Sequence, residues 1–554
     1  MSTHEIASPR KPYKVVGGRP IRHDGYDKVT GKAIYGADIS LPGMLYGKVL
    51  RSPHAHARIR AIDTSRVEAH PDIRAVVTHK DLPAADDRLA EVGEEAYMSL
   101  KYLSNGILAE EKVLFKGHPV AAIAASSLHV ATEALNLIEV DYEVLPSVTN
   151  VEDAMKMDSP ILHEHIVAPE ALGEEVRGGS NIAGHSQQVR GDVAQGFRKA
   201  DIVVEREFRT KMVHQGYIEP QSATAWWGED GRVTVWCSSQ GHFGIRDHVS
   251  KLLGIPVSEI KVVPLEIGGG FGGKLRPYLE PISVVLSRKS GRPVKTTMTR
   301  AEVLEATGPT SGSYVKAKMG VANDGRIIAA QGWIAFEAGA YPGSSHNGAA
   351  TSMFSPYDIE NVQIDSFDVV DNKPSTSAYR APGAPIGAFA GESVVDEVCE
   401  LLDMDPVEFR LFNAATEGTR MANGIAHPRI GAVEILEAVK GHPHYSAPVA
   451  RDGKRVGRGM AIGSWGNGSG PACVVANLLS NGKVSLLEGS VDIGGTRTAV
   501  AQQFAEVLGI PVEDVHPQIG DTDTIGYTSN TGGSGVAFKS GWAAVEAAQD
   551  VKRQ

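Results

Sequence analysis

One repeated string limits the folds open to this chain more than any other feature. Leu253-Gly254-Ile255-Pro256-Val257 recurs as Leu508-Gly509-Ile510-Pro511-Val512, an offset of 255 residues. Each copy closes a stretch whose apolar residues fall at i, i+4, i+7 and i+8. These are Ile245, Val249, Leu252 and Leu253 in the first copy, and Val500, Phe504, Val507 and Leu508 in the second. That spacing is one face of an α-helix, and Gly followed by Pro stops it. Upstream of each helix lies a hairpin signal, Asp230-Gly231 or Asn481-Gly482. Downstream of each lies an extended segment and then a glycine-rich loop. The chain therefore predicts two related units of mixed α and β structure. Two backbone loops suggest one elongated ligand held between them, since clefts between domains often bind ligands.

The first loop reads Ile267-Gly268-Gly269-Gly270-Phe271-Gly272-Gly273-Lys274, delivered by a strand within 260–267. Taken as a dinucleotide fingerprint it lacks the acidic residue expected about 20 positions on; that region reads Arg292-Pro293-Val294-Lys295. Taken as a phosphate loop it should follow Lys274 with Ser or Thr, and Leu275 stands there. Two readings remain: a bare backbone that lets a large ligand approach closely, and a tight turn with no ligand. The second loop is Thr531-Gly532-Gly533-Ser534-Gly535.

Further motifs run along the chain. They are Lys28-Val29-Thr30-Gly31-Lys32-Ala33, Arg51-Ser52-Pro53-His54-Ala55-His56, Val140-Asp141-Tyr142-Glu143-Val144-Leu145-Pro146 and Ser239-Gln240, then Ser377-Ala378-Tyr379-Arg380-Ala381-Pro382-Gly383 and Gly520-Asp521-Thr522-Asp523. In this order, and over nearly the whole chain, they resemble the molybdopterin-binding large subunit of the xanthine dehydrogenase and aldehyde oxidase family (molybdenum hydroxylases), in its bacterial three-subunit form. The resemblance implies an α+β chain. A small α/β hammerhead-like domain would precede two related molybdopterin-binding domains, the second incomplete. It places an N-terminal extension at 1–20, the hammerhead at 21–150, a linker at 151–191, the first molybdopterin domain at 192–417, a connecting segment at 418–457 and the second domain at 458–554.

The same resemblance assigns roles. Gln240, with Gly241 beside it, would lie next to the molybdenum and bond an oxo ligand. Gly269, Gly270, Phe271 and Gly272 would pack around the metal-dithiolene, and Arg380 would floor the pocket. Gly494, Gly495, Gly533 and Ser534 would give the second domain's backbone contacts. Gly495 precedes Leu508 as Gln240 precedes Leu253, by 13 residues; many relatives carry a pterin-binding Gln there. The implied cofactor is a molybdopterin, as the cytosine dinucleotide. Iron–sulfur and FAD subunits would take the electrons. Molybdenum itself would be held by the pterin dithiolene, with no direct protein ligand.

In the family a Glu near the end of the subunit is the catalytic base, a task suited to a carboxylate beside a metal centre. Its position would lie beyond Gln554, so no catalytic residue is expected among these 554 residues. That implies either a large subunit split between two polypeptides, the second completing it, or a fragment. Three positions bear on the substrate pocket: Leu275, Ala381 and Pro382. Copper-dependent carbon monoxide oxidisers carry Cys after the Arg, where Ala381 stands. Purine oxidisers carry Glu where Leu275 stands. An aromatic N-heterocycle, an aldehyde or an aryl thioester remains as the small-molecule substrate. A competing reading is a non-catalytic scaffold or assembly chain.

Composition sets outer bounds. The net charge of −11 argues against nucleic acid. No run of about 18 apolar residues indicates a membrane span, and residues 1–14 lack a secretory signal, which makes cytoplasmic the default. Cys237, Cys399 and Cys473 are too few for an iron–sulfur cluster and read as free buried thiols. His54 and His56 alternate along an expected strand but lack further ligands. Trp226-Trp227 reads as sheet packing, Asp521 and Asp523 as turn caps, and 128–137 and 433–439 as helices.

Overall fold

Both hairpin turns close as the dipeptides require, with Gly231 at φ 82° and Gly482 at φ 81°, values open to glycine at little cost. The structure, a computed structural model, describes residues 13–93, 96–167, 179–449, 453 and 455–554. In the first unit, strand Ser222–Trp227 pairs antiparallel with Val233–Cys237, which pairs parallel with Ile260–Pro264. In the second, Val474–Leu478 pairs antiparallel with Val484–Glu488, which pairs parallel with Val515–Ile519. The helices His242–Leu253 and Thr496–Leu508 make the crossovers. Both end on a left-handed glycine, Gly254 and Gly509. The duplication is therefore one of topology as well as of sequence.

The predicted helix faces are the buried ones. Ile245, Val249, Leu252 and Leu253 join the core beneath the first unit's sheet. Val500 and Phe504 are fully buried in the second, with Val507 and Leu508 packed at its edge. The helices expected at 128–137 and 433–439 appear as Leu128–Ala134, continued by a 3-10 turn, and as Ala432–Lys440.

The hammerhead region does not stand apart. Strand Leu45–Arg51 pairs parallel with Val294–Thr297 of the first unit, so one seven-stranded sheet runs across both. Its order is Ile260–Pro264, Val233–Cys237, Ser222–Trp227, Val294–Thr297, Leu45–Arg51, Pro119–Ala125 and Ile73–Thr78. Leu45, Val49, Ile245 and Val262 share a single core. The stretch expected as a linker, 151–191, holds helix Val151–Ala154 and strand Ile182–Arg190. That strand forms one edge of a five-stranded sheet by pairing with Asn361–Val370.

Three expectations change. His54 and His56 sit in the turn between strands Leu45–Arg51 and Ala57–Asp63, not on a strand. His56 bonds the Pro146 carbonyl through Nδ1 at 2.6 Å, and burial lowers its pKa. Cys473 is partly exposed, unlike Cys237 and Cys399. Trp227 packs against the core of the seven-stranded sheet as expected, beneath the Arg288 guanidinium at 4.8 Å from the ring centroid, but Trp226 is half exposed. Asp521 behaves as a turn cap: its Oδ1 accepts from the N–H groups of Asp523 and Thr524. Its partner Asp523 pairs with Arg232 at 2.8 Å, tying the second unit to the first. Among the described residues no helix is long and apolar enough to cross a membrane.

Candidate functional site

The two glycine loops meet over Gln240. This side chain is 2% exposed, and its bonds run to loop backbone. Its Oε1 accepts from the N–H of Gly272 at 2.9 Å and of Lys274 at 3.2 Å. Its Nε2 donates to the Thr531 carbonyl at 2.9 Å. The Thr531 N–H in turn donates to the Gln240 carbonyl at 2.7 Å. One amide thus joins the loop of the first unit to the loop of the second. Gly270 lacks a side chain for a reason: a Cβ there would collide with this amide.

Backbone strain gathers at the same place. Five non-glycine residues have positive φ among those described, and four are Phe271, Arg380, Ala381 and Ser534. The fifth, Asp403, caps a helix. Such conformations cost about 1–3 kcal/mol each and cluster at functional sites. The Arg380 N–H donates to the Phe271 carbonyl at 3.0 Å, and Ser377 Oγ to the Gly272 carbonyl at 2.9 Å. The 377–383 segment therefore lies against the first loop. Gly272 is at φ 105°, and a Cβ there would strike the Ala378 backbone.

The loop also leaves groups for a ligand. Among the described residues, the N–H groups of Gly269, Gly270 and Phe271 meet no acceptor, and the exposed Arg380 guanidinium meets no carboxylate. Lys274, by contrast, is committed. Its ammonium is buried against Glu219 Oε2 at 2.6 Å and faces the Tyr217 ring. Burial depresses its pKa, against the pull of Glu219. Glu219 also accepts from Gly268 N–H at 2.8 Å. The lysine that mimics a phosphate-loop residue is thus a structural ion pair beneath the loop.

The second unit departs from the first at the strand-to-helix connection. Residues 238–241 suffice in the first; the second needs the longer 489–495. Asp492 fills that extension. Its Oδ1 accepts from Gly494, Gly495 and Thr496 N–H at 2.9, 2.6 and 3.0 Å, and its Oδ2 from Arg497 Nε at 2.9 Å. Burial alone would raise its pKa, but these bonds hold it well below the usual carboxylate range. Gly494 and Gly495 therefore spend their amides on Asp492, while in the other loop Gly533 and Ser534 both turn through φ 59°. Arg497 continues to Glu266, just ahead of the first loop, at 2.5 Å.

Comparison with known proteins decides the lineage. Residues 30–146 match the aldehyde oxidase and xanthine dehydrogenase a/b hammerhead domain, and 175–414 and 439–554 match molybdopterin cofactor-binding domains. The chain is 30% identical to a probable xanthine dehydrogenase subunit of Bacillus subtilis, over 95% of its own length and 69% of that protein. The chain belongs to the xanthine dehydrogenase and aldehyde oxidase family. It is also 30% identical to the nicotinate dehydrogenase large molybdopterin subunit of Eubacterium barkeri, over 78% of this chain and 96% of that one. Quinoline 2-oxidoreductase from Pseudomonas putida superimposes with a TM-score of 0.85 at 26% identity, covering 98% of this chain and 71% of its own. A Cu,Mo-CO dehydrogenase superimposes equally well, at 27% identity, covering 98% of this chain and 72% of its own. These relatives are molybdenum oxidoreductases, and two of them are subunits by name.

For a member of this family the cleft has suitable chemistry. The first loop's unmatched amides and a guanidinium with no carboxylate partner suit a large polar cofactor laid against the backbone loops. Of the expected residues, the structure gathers Gln240, Gly241, Gly269, Gly270, Phe271, Gly272, Arg380, Gly533 and Ser534. It places Gly494 and Gly495 around Asp492 instead. Leu275 is fully buried, whereas Ala381 and Pro382 are partly exposed. Sequence reasoning missed Glu219, Asp492 and Lys539. Asp492, just before two glycines at a helix start, carried a readable capping signal.

Proposed function

We propose that this chain is the molybdopterin-binding subunit of a hydroxylase. It would add water-derived oxygen to an electron-poor carbon of an aromatic N-heterocycle, an aldehyde or an aryl thioester. The observation that carries the reading is the Gln240 junction, where the first glycine loop, with three unmatched amides among the described residues, meets the second. Bound there, the cofactor would supply the redox centre and the oxygen-transfer chemistry. Protein groups supply position and electrostatics. Gly269, Gly270 and Phe271 would hold the metal end through their backbone N–H groups, Gln240 and Gly272, bonded to each other, would set the loop's shape behind them, and Arg380 would offer positive charge to the pocket floor. Gly533 and Ser534 would meet the pterin's far side. We assign the cytosine dinucleotide form, cytoplasmic location, and iron–sulfur and FAD subunits as electron acceptors on the family resemblance.

A series of cavities shares lining residues with the 377–383 segment and with one another. Pro382 and Ala378 line a small cavity with Met98 and Arg276. Met98 and Arg276 also line the next, which ends on Tyr102 and Tyr341. Those two rings, 5.3 Å apart and stacked, wall an outer cavity of about 420 Å³ with His163 and His165. Planar substrates fit such a wall better than branched ones. The catalytic base would come from beyond Gln554 or from a companion polypeptide. Support comes from the Eubacterium relative, a named large subunit matched over 96% of its length.

The test is molybdenum content, with cytosine nucleotide released by acid, on the chain purified from its own host with its copurifying subunits. Near-stoichiometric metal and nucleotide are expected. Absence of both from the intact complex would leave the scaffold reading.

A further inference from the structure

Behind the second glycine loop lies a buried cation. Lys539, on helix Val536–Arg553, is 7% exposed, and its ammonium makes three bonds to the residues that lead into the loop. It donates to the Ser529 carbonyl at 3.2 Å, Ser529 Oγ at 2.6 Å and the Asn530 carbonyl at 2.6 Å. Ser529 Oγ donates its own proton to the Pro471 carbonyl at 3.2 Å, so all three contacts draw on the lysine. Only the charged form has three N–H donors.

The residues it holds are the ones that set the junction. The Asn530 side chain wedges against Gly241 and Gly244, where a Cβ on either glycine would meet its Oδ1. The next residue, Thr531, exchanges two bonds with Gln240. A continuous series of contacts therefore runs from the Lys539 ammonium through 529–531 to Gln240 and on to the Gly272 amide. We propose that Lys539 is the positioning residue of the second glycine loop, fixing its register against Gln240 and backing it with positive charge for the anionic pterin cofactor. This rests on the cofactor reading above.

Burial pushes the Lys539 pKa down to about 8; among the described residues the charge acting on it is that of Glu91, on the hairpin strand Leu89–Gly93, which opposes the fall. The ammonium is therefore present at neutral pH and is lost as pH rises through about 8. A bound anion would move that loss upward.

The experiment uses the complex from its own host, as wild type, Lys539→Met and Lys539→Arg. Molybdenum and nucleotide retained after dialysis are followed from pH 6.5 to 9.5, with thermal unfolding beside them. Wild type should retain cofactor at neutral pH and shed it above pH 8. Lys539→Met should shed it about tenfold faster, the size of one lost charge-assisted bond, with a flat pH profile. Lys539→Arg should retain it without the alkaline loss. A Met variant that matches wild type at every pH overturns the inference while leaving the cofactor reading intact. A wild type that holds no cofactor at all removes the cofactor reading itself. If the Met variant does not accumulate, the Arg comparison decides: an alkaline loss identical to wild type overturns the assignment.

Discussion

In the first unit the glycine loop is braced from within. Gln240 lies 13 residues ahead of the repeated string, and the Lys274–Glu219 pair sits directly underneath. In the second unit the corresponding position is Gly495, and the loop takes its side-chain amide from the first: Gln240 reaches across the cleft to Thr531, while Thr531 Oγ1 on the Val491 carbonyl and Lys539 on the following helix hold it from its own unit. One amide has come to serve both copies. The lesson is that a duplicated plan need not keep duplicated supports; once a cleft closes, one copy can lose its brace and borrow the other's.

Removing the shared brace should break the comparison most severely. Gln240→Ala leaves two buried N–H groups and one carbonyl without partners, at about 1–3 kcal/mol each, or about 3–9 kcal/mol in all. Hydrogen exchange should show both loops opening together; opening of the first alone would mean the second is not borrowing support. Glu219→Gln comes next. It strands the buried Lys274 charge, at about 3–5 kcal/mol, and should cost less once Lys274→Met is added. Chemical unfolding of the single and double variants reads this, and equal losses would separate the loop from its ion pair.

A smaller effect sharpens the contrast between the loops. Gly272→Ala meets both the left-handed φ and the Ala378 backbone, so about 3 kcal/mol is expected. Gly533→Ala meets the φ cost alone, since its nearest neighbour would lie 3.6 Å away, and about 1 kcal/mol is expected. Equal shifts in melting temperature would contradict that difference. Last is the Asp492 carboxylate, held low by Arg497 and the Gly494 and Gly495 amides after outweighing burial. A depressed carboxylate stabilises above its unfolded value near 4 and loses that contribution as pH falls further. The second unit should therefore weaken by about 2 kcal/mol on acidification below pH 4, and Asp492→Asn should flatten that dependence.

What the sequence disclosed was whatever depends on neighbours along the chain. The helix faces at Ile245–Leu253 spacing, the Asp230-Gly231 and Asn481-Gly482 turns and the loop glycines all obey local rules of period and φ. The pairing of Leu45 with Val294 has no local signature, so the hammerhead read as a separate body. His54 and His56 read as a strand because they alternate, but Pro53 beside them cannot donate to a ladder, and the chain turns there. Glu219 and Lys539 were invisible for the same reason as the sheet pairing: each acts on a partner that only the fold brings near. At the site, glycines announced themselves, while the groups that make those glycines necessary did not.

The parallel pairing of Leu45 with Val294 also governs how the chain is made. Strand Leu45–Arg51 leaves the ribosome about 250 residues before the strand that flanks it. At ~5–20 residues per second that is a wait of about 12–50 s with one edge open. An open edge is a template for pairing with another chain. Yield during synthesis, rather than stability once folded, is then where a damaged 294–297 strand would first be felt.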